Sequence, residues 1–258
     1  MSNINQRKEY IKNIYSKQWT YKRKQYGVKN FDLELIQKLK NQNKGRILEV
    51  GIGDGYPFSS ELEKNKFDVY GIDLSPTHVD MVKKTLPNIN VKVGDSEDLE
   101  FDNNFFDVVF CFRSSWYFPD LIKSISEMLR VVKIDGLVIF DIQNSQNPIH
   151  ISSVKKRKKL QEENIIKHII LKYVLNVIKI FLRPFKFYYT NWSIFKPIII
   201  EHPSDPNKIV DYLDSKDDIT YNVFGVDWIN SPSLVKVNDT KDMVLFDRLV
   251  FEVFNNSN

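Results

Sequence analysis

The chain has 258 residues, of which 42% are hydrophobic and 27% are charged. These fractions exclude a disordered or collagen-like chain and predict one large globular domain, with or without an insertion. The single cysteine, Cys111, excludes a disulfide within the chain and favours a reducing compartment. The N-terminal residues are polar, with no signal-peptide core, and no uncharged apolar run is long enough to span a bilayer. We therefore expect a cytoplasmic protein.

Residues 1–43 carry a helical pattern. Phe31, Leu35, Ile36 and Leu39 recur at the spacing that places side chains on one face of a helix. We predict an N-terminal helical cap over this stretch.

Residues 44–147 alternate short apolar runs with helical patterns, which is typical of βαβ units and a parallel sheet. Each predicted strand is almost continuously apolar, as expected when helices cover both faces of the sheet. The predicted strands are Arg46–Val50, Asp68–Ile72, Asn90–Val93, Phe106–Cys111 and Leu137–Asp141, and the helices between them are about Pro57–Lys64, Pro76–Leu86 and Asp120–Val131.

The pattern changes twice more along the chain. Residues 148–205 form a basic block rich in isoleucine and aromatic residues, which we predict to be a helical insertion. In residues 206–258 a short helix, Pro206–Leu213, precedes two strands, Ile219–Val226 and Val244–Phe254, which would complete the sheet as an antiparallel pair. The predicted fold class is α/β: a doubly wound, mostly parallel sheet of seven strands with a helical lid insertion.

A glycine-rich loop, Gly51–Gly55, follows the first predicted strand. Glycines let the backbone turn tightly and approach a ligand closely. A dinucleotide-binding loop would carry its third glycine at position 56, where this chain has Tyr56. Asp73 ends the next strand, where an acid can accept hydrogen bonds from a ribose. Taken singly, such a loop can be a simple strand-to-helix turn, and such an acid can cap the following helix.

The loop and the acid before it, Glu49, resemble the first signature of class I S-adenosylmethionine-dependent methyltransferases of the type 11-like group, acid-x-Gly-x-Gly-x-Gly. Four later segments also resemble that family and extend the likeness over about residues 44–145. They are Val69–Ser75, Gly94–Leu99, Phe105–Cys111 and Leu129–Gly136, the last of which departs from the family pattern at Ile134 and Asp135.

The resemblance implies a Rossmann-like methyltransferase fold and S-adenosylmethionine as the cofactor. It also implies that the glycine loop holds the amino-acid end of the cofactor, that Asp73 accepts hydrogen bonds from the ribose and that Asp95 accepts one from the adenine amino group. The full set of cofactor-binding residues that it implies is Glu49, Gly51, Gly53, Gly55, Asp73, Leu74, Asp95 and Ser96.

Residues that contact the acceptor should lie beyond the carboxyl ends of the strands. Arg113 there could bind an anionic group or pair with a surface acid, and Trp116 and Tyr117 could stack on a sugar or pack in the core. His150 is a weak candidate for a general base, because most loop histidines are not catalytic. No histidine, cysteine and acid cluster has metal-ligand spacing, so we predict no metal.

The insertion carries most of the positive charge. Residues 155–186 hold ten lysines and arginines against two glutamates, so the rest of the chain is net acidic. The pattern of 165–183 predicts an amphipathic helix with a basic face and a wide apolar face. We favour a lid over the acceptor, and two alternatives stay open: peripheral contact with an anionic membrane surface, or a dimer contact. The oligomeric state is not predicted.

The expected function is methyl transfer from S-adenosylmethionine to a small-molecule or saccharide acceptor, at a hydroxyl oxygen. Nucleic acid is not the expected acceptor, because the fourth strand lacks the Asn-Pro-Pro-Tyr type of signature, although the basic run Lys155–Lys159 keeps an RNA acceptor open. A protein acceptor and a catalytically degenerate cofactor-binding scaffold are further alternatives. An NAD-dependent oxidoreductase is disfavoured by Tyr56.

Overall fold

In the computed structural model, the five strands predicted between residues 46 and 141 form a parallel sheet, with helices connecting most of them. The structure describes Lys8, Glu9, Lys12 and residues 27–42, 45–148, 151–152, 155, 159, 203–227 and 231–256. The elements of the first half are α1 (Asn30–Lys40), β1 (Arg46–Val50), α2 (Phe58–Lys64), β2 (Asp68–Asp73), α3 (Pro76–Thr85), β3 (Asn90–Val93), β4 (Phe106–Cys111), a 3-10 turn at Ser115–Tyr117, α4 (Leu121–Val131) and β5 (Val132–Gln143).

The second half completes the sheet with antiparallel strands. Its elements are α5 (Pro206–Asp214), β6 (Ile219–Asp227), β7 (Ser231–Val237), a 3-10 helix at Thr240–Leu245 and β8 (Arg248–Asn255). The strand order is β3-β2-β1-β4-β5-β8-β6-β7, and the pairs β5–β8, β8–β6 and β6–β7 are antiparallel. The predicted doubly wound α/β class is confirmed.

The sheet has eight strands in the described part of the chain, one more than the seven predicted. The additional strand is β7, at the edge of the sheet next to β6. Its sequence contains Pro232, which lacks an N–H group for a central strand but is tolerated at an edge. The last strand begins at Arg248, later than predicted, because Asp239 accepts a hydrogen bond from the N–H of Lys241 and starts a 3-10 helix there.

The predicted apolar stripe of α1 is confirmed. Phe31, Leu35 and Leu39 are fully buried and Ile36 is 5% exposed. They belong to the same hydrophobic cluster as Phe58 of α2 and residues of β1, β2 and β4. The stripe therefore packs α1 against the sheet.

The chain divides into two compact units, residues 1–147 with 201–258, and residues 148–200. The first unit contains the sheet. The predicted amphipathic helix at 165–183 and His150 lie outside the described residues, so the proposed roles of the insertion stay predictions. None of the helices in the described ranges is both long and apolar enough to cross a membrane.

An ionic clamp holds the segment that leads from β3 to β4. The Glu127 carboxylate accepts the N–H of Leu99 at 2.8 Å and two hydrogen bonds from Arg130, while Arg130 also donates to the carbonyl groups of Leu99 and Phe101. The hydrogen bonds from Arg130 are the main reason why the pKa of Glu127 lies below its ordinary value. The clamp therefore depends on an ionised Glu127.

Replacing Glu127 with glutamine should lower the free energy of unfolding by about 1 kcal/mol at pH 7, since the ion pair is partly exposed. A carboxyl with a depressed folded-state pKa stabilises above its unfolded pKa and loses that contribution as the pH falls through the folded value. The difference from wild type should thus shrink below about pH 4. Urea unfolding at pH 7, 5 and 3.5 measures it, with the exposed Glu100→Gln as the control. A difference that does not change with pH would contradict the clamp.

Candidate functional site

A cleft runs along the edge of the sheet where the parallel strands end. It encloses about 680 Å³ of space not filled by atoms, part of it open to solvent. The residues that line it follow β1, β2, β3 and β4, with one residue from the N-terminal segment. They are Lys8, Gly51, Gly53, Ile72, Asp73, Leu74, His78, Gly94, Asp95, Ser96, Arg113, Ser114, Tyr117, Phe118 and Pro119.

The glycine loop forms its part of the cleft with backbone and not with side chains. The N–H groups of Gly51 and Ile52 both donate to the carbonyl of Ile72 at 2.9 Å, which ties the turn to the end of β2. Gly51 has a φ of +77°, and a Cβ there would lie 2.6 Å from the Cβ of Ser114. Glycine is therefore required at this position for both conformational and steric reasons.

The Asp73 carboxylate is held in one orientation at the end of β2. Its Oδ2 accepts the N–H of Gly53 at 2.9 Å, and its Oδ1 accepts the N–H of Ser75 at 2.8 Å. The Nδ1 of His78 in α3 lies 3.3 Å from Oδ1. A carboxylate offers about four lone-pair sites, and the side chain of Asp73 is 14% exposed to the cleft. It can therefore accept further hydrogen bonds from a ligand.

The segment after β3 brings a second acid to the cleft. The Oδ1 of Asp95 accepts the N–H of Glu97 at 3.0 Å, and its Oδ2 accepts from the Lys8 ammonium at 2.6 Å. The hydroxyl of Ser96, also at the cleft, lies 2.9 Å from that of Ser124 in α4. Asp73 and Asp95 thus stand at the ends of adjacent strands.

Two of the residues implied by the resemblance do not line the cleft. Glu49 is 2% exposed and accepts a hydrogen bond from the hydroxyl of Ser59, which joins the end of β1 to α2. Gly55 has a φ of +76°, and a Cβ there would lie 2.6 Å from the Cδ1 of Leu86. In the structure, both residues contact neighbouring helices and not the cleft, and so they fix the shape of the loop without lining the cleft.

The residues predicted to contact the acceptor also include some that line the cleft and one that does not. Arg113 and Tyr117 line the cleft, and Phe118, which sequence reasoning did not select, lies beside them. Trp116 is 5% exposed and does not line the cleft; the guanidinium of Arg248 lies 4.8 Å from the centre of its ring. His150 lies outside the described residues.

A buried ionic network, which sequence reasoning missed, holds Arg113 in place. The guanidinium of Arg113 donates to the carboxylate of Asp32 in α1, and its backbone N–H donates to Asp141 of β5 at 2.8 Å. Arg248 of β8 lies 3.4 Å from the other oxygen of Asp141. Both aspartates are fully buried. Burial raises the pKa of both carboxyls, and the neighbouring arginines oppose that rise.

The sequence contains one signal for this network. Asp141 interrupts an apolar strand, which is uncommon for a residue with no partner. Its partners, Arg248 and Arg113, come from β8 and from the loop after β4, so they become apparent only from the sheet order and register.

Across the described ranges, no group of three or more histidine, cysteine, aspartate or glutamate side chains could hold a metal ion. The groups along the cleft do fit S-adenosylmethionine. Strands are about 4.8 Å apart, so the ends of β3 and β4, three strands apart, are separated by roughly 14 Å. This length suits a nucleoside with an amino-acid tail. Two acids that could accept from an amino group and from hydroxyls lie at one end, and the glycine backbone lies at the other.

The comparisons with known proteins agree with this fit. A family model described as a methyltransferase domain matches residues 48–140. The Bacillus subtilis protein named methyltransferase YrhH is 31% identical over 130 residues, which are 48% of this chain and 72% of that protein. The demethylmenaquinone methyltransferase of Chlorobaculum tepidum is 32% identical over 100 residues, which are 39% of this chain and 41% of that enzyme.

The fold is also similar to that of a solved structure. An S-adenosylmethionine-dependent methyltransferase from Thermotoga maritima superposes with a TM-score of 0.62 over 95% of this chain and 100% of that one, at 14% sequence identity. At that identity the likeness concerns the fold alone. Together with the sequence match over 72% of YrhH, it shows that this chain belongs to the class I S-adenosylmethionine-dependent methyltransferases.

Proposed function

We propose that this methyltransferase transfers the methyl group of S-adenosylmethionine to a hydroxyl oxygen of a small-molecule or saccharide acceptor. The observation that carries the proposal is the composition of the cleft beyond β4. There Arg113, anchored by the buried Asp32, lines the cleft together with the aromatic residues Tyr117 and Phe118. A cation beside aromatic rings suits a compact cyclic acceptor with a hydroxyl or anionic group. The relative named demethylmenaquinone methyltransferase has a small-molecule acceptor by its name, which supports the same class.

The proposal includes a placement of the cofactor. Asp73 would accept hydrogen bonds from the ribose hydroxyls, and Asp95 would accept one from the adenine amino group, with Leu74 and Ser96 beside them. The backbone of Gly51 and Gly53 would hold the amino-acid end. Glu49 and Gly55 would act indirectly, by fixing the shape of the loop.

When bound, the cofactor supplies an electrophilic methyl group on a good leaving group, so the protein needs to do little covalent chemistry. The residues of this chain orient the acceptor and exclude water from it. A positive charge near a hydroxyl favours its ionised form. The Arg113 guanidinium would therefore both bind the acceptor and help its oxygen to lose a proton.

An acceptor screen tests the proposal. Purified protein is incubated with S-adenosylmethionine labelled in the methyl group and with panels of hydroxylated acids, phenols and saccharides, beside transfer RNA and peptides. We expect label in a methoxy group of a small molecule or saccharide, identified by mass spectrometry and NMR. Label found only in RNA or peptide, or on nitrogen or carbon, would contradict the acceptor class. Cofactor binding with no transfer to any acceptor would favour a scaffold.

Replacing Arg113 with lysine should raise the KM for an anionic acceptor about tenfold, because lysine keeps the charge but not the planar fork of donors. The affinity for S-adenosylhomocysteine, measured by calorimetry, should stay within about threefold of wild type. Thermal unfolding of the variant shows whether the pair with Asp32 still supports the fold. Equal losses in acceptor KM and cofactor affinity would place Arg113 at the cofactor and not at the acceptor.

A further inference from the structure

Lys8 lies at the end of the cleft near β3. Its ammonium lies 2.6 Å from the Oδ2 of Asp95 and 2.7 Å from the Oε2 of Glu97. The Lys8 side chain is 18% exposed and the Glu97 side chain 6%. These contacts bridge 87 and 89 positions of sequence, so they hold Lys8 against a distant part of the fold.

The partner Glu97 is itself anchored. Its Oε1 accepts the backbone N–H of Asp120, the N-cap residue of α4, at 2.9 Å. Because Glu97 is nearly buried and held at its other oxygen, Lys8 keeps this partner whatever binds to Asp95. The two carboxylates also carry like charges, and Lys8 compensates their repulsion.

Lys8 lines the cleft beside Asp95 without filling it, since the cleft is open while both ion pairs are formed. The Oδ2 of Asp95 has a second lone pair after accepting from Lys8. Lys8 therefore lines the cleft, and a ligand can bind there without displacing it.

We propose that Lys8 is a positioning residue for the cofactor: through Asp95 and Glu97 it closes the nucleobase end of the cleft and slows release of the bound cofactor. The inference rests on the proposed placement of the adenine at Asp95. It assigns to Lys8 a role in slowing cofactor release, and Lys8 lies outside the glycine loop and the strand ends that carry the family motifs.

Stopped-flow release of S-adenosylhomocysteine tests the inference. We expect Lys8→Met to release the ligand about tenfold faster than wild type, with a smaller change in the association rate. Salt screens the ion pairs, so raising the ionic strength from 0.05 to 0.5 M should speed release from wild type and leave Lys8→Met nearly unchanged. Lys12→Met is the matched control, since Lys12 belongs to the same segment and lies 3.9 Å from Glu9; it should release at the wild-type rate.

Two further measurements separate a positioning role from a general loss of structure. Lys8→Arg keeps the charge and should release within about threefold of wild type; release as fast as from Lys8→Met would overturn the inference. 5′-Methylthioadenosine keeps the nucleobase and lacks the amino-acid tail, so Lys8→Met should weaken its binding by the same factor as that of S-adenosylhomocysteine. An effect on S-adenosylhomocysteine alone would place Lys8 at the other end of the cofactor and overturn the inference.

Asp95→Ala, which removes the acceptor, distinguishes this inference from the proposed cofactor placement. If Asp95→Ala weakens binding and Lys8→Met changes neither the release rate nor its salt dependence, the placement stands and the inference fails. If Asp95→Ala leaves affinity unchanged, the placement of the adenine itself is wrong. Slower release from Lys8→Met would mean that Lys8 competes with the cofactor, which also overturns the inference.

Discussion

Replacing Asp73 with alanine should weaken binding of S-adenosylhomocysteine by about 30- to 150-fold, or about 2–3 kcal/mol. The carboxylate stands at the end of β2 with its orientation fixed by the N–H groups of Gly53 and Ser75, and it faces the cleft. A charged acceptor that is already oriented loses little entropy when it binds two ribose hydroxyls. Titration calorimetry on wild type and variant measures the loss.

Asp68→Ala is the matched control for this prediction. It removes the same side chain from the opposite end of the same strand, where Asp68 is half exposed and 3.9 Å from Arg46. Its affinity should equal that of wild type. Because Asp73→Ala also leaves two loop N–H groups without their acceptor, thermal unfolding of the free protein shows how much of the loss comes from the loop. An affinity within threefold of wild type would place the ribose elsewhere.

The position of Asp73 could be predicted because the relevant interactions are local. A glycine loop between a strand and a helix, with an acid at the end of the next strand, leaves few arrangements in a parallel sheet. The stripe of α1 could be predicted for a similar reason, since helical periodicity is visible within ten residues. In both cases the residues that decide the structure lie close together in sequence.

The parts that could not be predicted depend on contacts between distant segments. Lys8 meets Asp95 and Glu97 across almost ninety residues, and nothing near Lys8 distinguishes it from the other lysines of the segment. The position of Glu49 illustrates a different difficulty. Its place in the motif could be identified from the sequence, but its burial against Ser59 follows from how α2 packs on β1. A motif thus identifies a residue without saying whether it faces the ligand or supports the loop.

The ionic network around Arg113 holds the part of the cleft beyond β4 more firmly than the backbone of a loop alone would. Arg113 has a φ of +60°, a conformation that costs energy for a residue with a side chain. The bond from its N–H to Asp141 and the ion pair with Asp32 compensate for that cost. Asp141 in turn depends on Arg248, whose guanidinium also lies over the ring of Trp116. The orientation of Arg113 is therefore linked to β5 and β8 as well as to α1.

Replacing Arg248 with methionine should lower the free energy of unfolding by about 3 kcal/mol at pH 7. Methionine retains the apolar contact with Trp116 but removes the cation that contributes most to opposing the effect of burial on the fully buried Asp141. Removing one partner of a buried pair costs about 3–5 kcal/mol. The Asp141 pKa, already raised by burial, should rise further. A carboxyl whose folded-state pKa is raised favours folding at low pH and loses that contribution as the pH rises through the folded value.

The loss in Arg248→Met should therefore be larger at pH 8 than at pH 5, because at pH 5 the carboxyl can take up a proton in the folded state. Chemical denaturation at both pH values measures it. Lys133→Met is the matched control: it also removes the cation of an aspartate, Asp107 of β4, but both side chains of that pair are more than 30% exposed. Its loss should be below about 1 kcal/mol and equal at pH 8 and pH 5, since Asp107 has a lowered pKa. A loss in Arg248→Met that grows as the pH falls would mean that Arg248 does not hold Asp141 in its ionised form.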